Sequence, residues 1–433
     1  MRKKLGIVSI MICLLISGIF LVNHVSSIFN DATEESSAEL IEEFAEESSE
    51  EFIEESAEEF DDLLIHFADI NYIRTLADTE IFDANNNALG IIGENQTFAV
   101  EAVVNDQLLK LTDLPFYVNY DQIEAATELQ IIESIELDLS RYLAFEQMIA
   151  VGGAVDFYHL DHTFAFRLTE IDTDINIYMQ EADHFYVNYL DTYFLVARDA
   201  VTLIDNPNAL PERTSIPVLM YHFFCNSADE VECRDSNWLE RDHFEAHIQY
   251  LYDNNFTSLK MIDIERFLNG SVRLPEQSVV ITIDDAHPTL FEYAYPILVE
   301  FDQIATTFAI THHNRDWETL LSSNHLELHS HSHDMHRGHC DAGRGGIMQC
   351  IDFDEGIADL QRSRSLLNDT TVFCYPFGDY NEHTIAMLEA AGFTLAFTTE
   401  NGLVTRDSTP LRLPRVRIST DTHLEQFRHL VNQ

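Results

Sequence analysis

The sequence predicts an α/β protein: a parallel α/β domain, barrel-like or doubly wound, over the second half of the chain, preceded by a small β-rich region. Three observations predict it. After Asn206-Pro207-Asn208-Ala209-Leu210-Pro211, which reads as a linker, strand-like and helix-like patterns alternate through the rest of the chain. Val279 to Ile283 is a continuous apolar and β-branched run, as expected of a strand buried on both faces. Before the linker the runs are short and alternating, as in Thr97 to Val103 and Ile175 to Met179, which suits half-buried strands.

Taken in chain order, the first element sets the compartment. Arg2, Lys3 and Lys4 precede an uncharged stretch from Leu5 to Val22, at the lower edge of a membrane span and longer than a usual signal-peptide apolar region. Residues 1–25 therefore read as a membrane anchor or a signal segment, with cleavage near Val25-Ser26-Ser27 as the second case. The basic flank keeps the N-terminus in the cytoplasm, so in both cases the folded body lies outside. It is held at the cell membrane by a single pass, or secreted if the segment is removed.

Residues 26–62 form an acidic low-complexity stalk. Between 31 and 62 there are 16 acids and no Lys or Arg, and Glu pairs recur every four residues. That period stacks like charges at i and i+4, which opposes a helix and favours a self-repelling extended segment. A cation-binding or partner-binding helix is the alternative. The whole chain has 75 acids against 24 Lys and Arg, a net charge of −51. Such a field repels phosphate, which excludes nucleic acid as a partner.

Residues 63–205 read as the β-rich region. Phe116-Tyr117-Val118-Asn119-Tyr120 recurs as Phe185-Tyr186-Val187-Asn188-Tyr189, and Thr97-Phe98-Ala99 as Thr163-Phe164-Ala165. Two related units, with lengths like those of small SH3-like barrels, are expected. In residues 206–433, further strands are expected at Thr306 to Thr311, Leu326 to Leu328, Val372 to Tyr375, Thr394 to Thr398 and Val416 to Ile418. Helices are expected at Phe244 to Tyr252, Tyr293 to Phe301, Ile357 to Leu367 and Glu382 to Ala391. Outside the membrane segment, Cys225 and Cys233 are eight apart and Cys340 and Cys350 ten apart. Two local disulfides suit an oxidising compartment, with unpaired thiols as the alternative.

In parallel α/β folds functional groups collect at the carboxyl ends of strands. Here those ends read Asp284-Asp285 after Ile283, His329-Ser330-His331-Ser332-His333-Asp334-Met335-His336 after Leu328, Tyr375-Pro376-Phe377-Gly378 after Cys374, and Tyr221-His222 after Met220. Adjacent carboxylates at a strand end point in different directions, so one can bind a metal while the other faces reactants. Two imidazoles and a carboxylate around a divalent ion, with positions open to water and substrate, is a hydrolytic arrangement.

These motifs, Thr282-Ile283-Asp284-Asp285-Ala286, then His331 and His336, then Tyr375-Pro376-Phe377-Gly378, resemble those of the polysaccharide deacetylases, carbohydrate esterase family 4. The resemblance spans about residues 214–420 and implies a distorted (β/α) barrel catalytic domain, here preceded by the small β-rich region. It implies metal-dependent removal of N-acetyl groups from glycans that contain N-acetylglucosamine. By the same resemblance Asp284 matches the general base, and Asp285, His331 and His336 the ligands of a divalent metal. Zinc suits that donor set best, with cobalt or nickel also compatible. The backbone N–H near Phe377 matches the oxyanion donor. Tyr221-His222 matches the permuted motif of the poly-N-acetylglucosamine deacetylases, which makes His222 the expected acid, with His423 and His429 as lesser candidates.

Three features depart from the family pattern. Ala286 stands where glycine is usual, which is costly if the position needs a positive φ. Tyr375 stands where an arginine often pairs with the base, so Arg415 or Arg417 is expected to substitute. His329 and His333 have ligand-like spacing but fall outside the family register. A catalytically inactive glycan-binding protein and an O-acetyl esterase are the competing expectations.

Overall fold

In the computed structural model seven parallel strands close on themselves in the order in which they occur in the chain. They are β1 (Val218–Tyr221), β2 (Ser278–Asp285), β3 (Ala305–Ala309), β4 (Leu326–Ser330), β5 (Val372–Cys374), β6 (Leu395–Asn401) and β7 (Leu413–Arg417). Each pairs in parallel with the next, and β7 pairs with β1 to complete the barrel. Around it run α1 (Arg241–Asp253), α2 (Met261–Leu268), α3 (Tyr295–Glu300), α4 (Phe353–Ser365), α5 (Glu382–Ala391) and α6 (Leu424–Val431). The structure describes residues 72–433 apart from 104–107, 113, 120–121, 127–136, 230 and 314–321. The expected anchor or signal segment and acidic stalk lie outside the described residues. Among the described residues no helix is long and apolar enough to cross a membrane.

Alternation along β2 divides its side chains between two cores. Val279, Ile281 and Ile283 pack outward with Phe244 and Ile248 of α1 and Ile297 and Leu298 of α3. Val280 packs with Phe308, Phe397, Leu413 and Cys374 of other barrel strands. Thr282 and Asp284 share its parity, which carries them toward the barrel interior. Thr282 Oγ1 donates to Leu219 O at 2.7 Å and Thr307 Oγ1 to Ile283 O at 2.7 Å, which satisfies their buried hydroxyls.

Local signals fix the helix ends. Asn381 caps α5 through a reciprocal capping box with Thr384, and Gly392 ends the helix at φ +82°. Asp352 caps α4 by accepting from Asp354 N and Glu355 N. Disulfides join Cys225 to Cys233 and Cys340 to Cys350, while Cys374 is free and buried.

By packing, the described residues form two compact units. One holds those before 134 together with Phe164–Thr169. It is antiparallel: Tyr72–Thr75 pairs with Thr97–Val103 and Ile123–Ala126, and Thr79–Phe82 with Ala88–Ile92 and Tyr117–Asn119. The other holds the barrel together with the antiparallel strands Ile175–Gln180, His184–Tyr189 and Thr192–Ala197. A polar network ties residues near 140 to α2: Tyr142 Oη donates to Asp263 Oδ1 at 2.5 Å and accepts from Arg266 at 3.0 Å. The division by composition at residue 206 and the division by packing thus fall at different places. In each copy of the sequence repeat the valine, Val118 or Val187, is buried and the following asparagine half-buried.

His247 of α1 is buried, its ring stacked 4.0 Å from that of Phe427. Nε2 donates to Thr422 O at 3.0 Å, and Nδ1 accepts from Tyr221 Oη at 3.2 Å. Burial pulls this imidazole from 6.5 down to about 3. The unfolded chain therefore takes up a proton near pH 6.5 that the folded chain refuses until about pH 3. This contribution to stability is present above about pH 6.5 and is lost as pH falls toward 3. Thermal melts of His247→Gln should show a smaller loss of Tm on acidification through this window than wild type does. An identical pH dependence would contradict the assignment.

Candidate active site

The six residues singled out from the sequence end up together at the carboxyl ends of β1, β2, β4 and β5. Asp284 lies 2% exposed at the end of β2, inside the barrel. Arg415 of β7, fully buried, grips it in a two-point ion pair: Nη1 to Oδ1 at 2.7 Å and Nη2 to Oδ2 at 2.8 Å. The guanidinium is itself held by Thr398 O (2.8 Å), Thr282 Oγ1 (3.0 Å) and Cys374 Sγ (3.1 Å). Burial alone would raise the Asp284 carboxyl, but the Arg415 charge holds it well below the usual carboxylate range. Of the two arginines expected to replace the missing one, Arg415 takes the place. Arg417 is exposed and donates to Ser236 and Asn237.

Asp285 follows at φ +73° and Ala286 at φ +48°. The left-handed turn carries Asp285 to a different neighbourhood from Asp284 and places an alanine where glycine would be unstrained. Asp285 Oδ1 lies 3.4 Å from His331 Nε2 and 3.4 Å from His336 Nε2, yet it is buried and makes no hydrogen bond. His331 Nδ1 is 2.7 Å from Cys374 O, which can only accept. The Nδ1 proton is thereby fixed on that carbonyl, and Nε2 faces Asp285. Burial disfavours the charged ring, but Cys374 and Asp285 together hold its pKa well above the usual imidazole range, so a cation at this point would take the place of the Nε2 proton. Burial, and then the charge of the neighbouring His331, pull His336 down to about 4, so near neutrality it offers a neutral nitrogen.

These three donors fit a divalent ion. An orphaned buried carboxylate oxygen wants a cation. Asp285 Oδ1 lies 3.4 Å from each imidazole nitrogen and all three donor atoms lie within 4.8 Å of one another, close enough for a single ion to be shared.

His222 follows β1, with Nε2 3.6 Å from Asp284 Oδ2 and a buried Nδ1 without a hydrogen-bond partner. Burial lowers its pKa, against the opposing pull of the Asp284 charge. His423 instead stands at the N-cap position of α6 without a side-chain capping bond, its ring 4.8 Å from that of His243, and His429 lies in the last turn of that helix. Phe377 sits in the turn after β5 at φ +60°, its ring stacked 4.6 Å from that of His336. His329 and His333 turn to Thr370 and Thr311 through Nδ1, at 2.6 and 3.1 Å.

A cavity of about 270 Å³ opens beside Asp285 and His336. Phe223 and His287 also line it, with ring centroids 5.1 Å apart. The Trp238 ring packs against both, with centroids 5.2 and 5.7 Å away. Sequence reasoning gave Cys374 and Asp379 no role. Cys374 could have been flagged by its place at the end of a strand that leads into the Pro-Phe-Gly motif.

Residues 271–396 match a family model described as polysaccharide deacetylase. YxkH of Bacillus subtilis strain 168, named as a candidate polysaccharide deacetylase, is 28% identical over 216 residues, covering 47% of this chain and 71% of its own. A poly-beta-1,6-N-acetyl-D-glucosamine N-deacetylase of Staphylococcus aureus strain MRSA252 is 26% identical over 233 residues, covering 49% and 76%. Among solved structures, the Streptococcus pyogenes deacetylase PplD is 22% identical with a TM-score of 0.44, covering 52% of this chain and 100% of its own.

Proposed function

We propose that this chain, whose residues 271–396 belong to the polysaccharide deacetylase family, hydrolyses the N-acetyl groups of N-acetylglucosamine units in a cell-envelope polysaccharide, peptidoglycan or poly-N-acetylglucosamine. The observation that carries the reading is the orphaned Asp285 Oδ1 facing two imidazole nitrogens, one residue from a buried, ionised Asp284. The chemistry is assigned as follows. Asp285, His331 and His336 would hold a divalent ion, zinc by their donor chemistry, which when bound would supply Lewis acidity to the acetamide carbonyl and to water. Asp284, kept ionised by Arg415, accepts the proton of the attacking water. The pairing that ionises Asp284 also weakens it as a base, and His222, 3.6 Å away, lies within reach to take that proton onward. His222 then delivers it to the departing amine. The backbone N–H at Phe377 steadies the developing oxyanion. Acetate and a glucosamine unit result.

Arg415 in place of the expected arginine, with an intact donor set, favours an active enzyme over an inactive glycan-binding protein. An O-acetyl ester passes through the same tetrahedral species, so substrate comparison separates the two. The basic flank and uncharged stretch of residues 1–25 support attachment to the cell membrane with the catalytic domain outside, or secretion after cleavage. In that plan residues 26–62 are the stalk, 63–205 the β-rich region and 206–433 the catalytic domain.

The test is metal content read together with turnover. The full chain should hold one equivalent of zinc, and His331→Ala should lose both the zinc and acetate release from N-acetylglucosamine oligomers. Full zinc occupancy in His331→Ala would contradict the ligand assignment. Release from O-acetylated but not N-acetylated glycan would move the activity to the esterase.

A further inference from the structure

The loop that follows His336, closed by the Cys340–Cys350 disulfide, has no part in the reaction as assigned, yet it rests on the Phe377 turn. Arg344 Nη1 donates to Phe377 O at 2.9 Å. Asp379, nearly buried, accepts through Oδ2 from Arg344 N at 2.7 Å and from Gly346 N at 3.3 Å. The approach is close enough to demand glycine. A Cβ at Gly343 would lie 2.8 Å from Asp379 Oδ1, and one at Gly346 would lie 2.8 Å from Phe377 Cδ2. Phe377 holds a left-handed φ of +60° that a side chain disfavours, so its neighbours must keep it there. Arg344 fixes its carbonyl, and Gly346 and His336 enclose its ring.

We propose that Arg344, presented by the loop that the Cys340–Cys350 disulfide closes, and Asp379, which binds that loop, are positioning residues for the Phe377 turn, so that full turnover requires this loop oxidised. The inference rests on the reading of the Phe377 N–H as the oxyanion donor. Because Asp379 holds the loop and the loop holds Phe377, loss of the carboxylate and loss of the disulfide release the same element. Their effects should therefore not add.

The experiment uses the zinc-loaded full chain as wild type, Asp379→Ala, Asp379→Asn, the paired Cys340→Ala and Cys350→Ala variant, and the combination of Asp379→Ala with that pair. Asp379→Ala and the cysteine pair should each lower kcat about tenfold, with KM within about twofold and one equivalent of zinc retained. The combination should lose about as much as either alone, and Asp379→Asn, which keeps an acceptor, should recover most of the rate. Hydrogen–deuterium exchange over residues 372–380 supplies a readout independent of turnover. The Gly378 and Asp379 amides, bonded to Tyr375 O at 2.8 Å and Pro376 O at 3.1 Å, should exchange faster in the Asp379→Ala and cysteine-pair variants. Unchanged kcat, additive losses, or a rise in KM alone would overturn the proposal. If wild type releases no acetate, the deacetylase reading has failed. Exchange then still decides whether the loop orders the turn, and unchanged exchange would overturn that too.

Discussion

Asp284→Asn should lower acetate release by about a thousandfold, within the range by which a positioned base accelerates proton transfer. The amide has the shape of the carboxylate but cannot take a proton from water, and it no longer balances the Arg415 charge. Arg415 keeps its bonds to Thr398 O and Thr282 Oγ1, so the guanidinium is not left bare. The variant should therefore fold with a lowered Tm and retain its zinc, because Asp285, His331 and His336 are untouched. Turnover measured well below that Tm separates lost chemistry from lost fold. Near-wild-type turnover would remove Asp284 from the reaction.

Arg415→Met should cost more stability than any other single change at the site. It leaves Asp284, 2% exposed, without its cation. Breaking a buried ion pair from one side costs about 3–5 kcal/mol. The carboxyl can escape that cost by taking up a proton, and a protonated Asp284 is no base. Denaturant midpoint and kcat should thus fall together. Arg415→Lys should recover part of the stability but little of the rate, since an ammonium cannot hold both carboxylate oxygens and Thr398 O at once. Wild-type stability in Arg415→Met would show that the ion pair carries neither role.

The barrel half and its candidate site were legible because their signals are local. Asp284, Asp285, His331, His336, Phe377 and His222 all stand at strand ends, and such ends are readable wherever an apolar run stops. Helix α5 was readable to its boundaries because Asn381 and Gly392 mark both of them. Helices α2 and α6 were not singled out. Each has only eight residues, and their apolar positions, Met261, Ile264 and Phe267 or Leu424, Phe427 and Val431, give too few points to establish a period. The region read as Tyr293 to Phe301 opens on a π-helical turn at Leu290–Ala294 that hydrophobic spacing does not reveal.

Long-range facts stayed out of reach. Arg415 and Arg417 are two apart on one strand, so alternation gives both the same face and cannot choose between them. Depth chooses, because Arg415 is enclosed within the barrel and Arg417 lies at the exposed strand end. Likewise Leu139, Tyr142 and Met179 share a core with Val280 and Leu413, a contact that no local pattern announces. The spacing of Cys340 and Cys350 pointed to a closed loop but not to the Phe377 turn on which that loop rests.

The most direct test is acetate release from N-acetylglucosamine oligomers, poly-N-acetylglucosamine-type and peptidoglycan-derived, by the full chain, followed as its metal is removed with a chelator and restored with one equivalent of zinc. The account predicts release that disappears on chelation and returns on reloading. Release undiminished in the metal-free protein, or none from a folded, zinc-loaded chain, would contradict it.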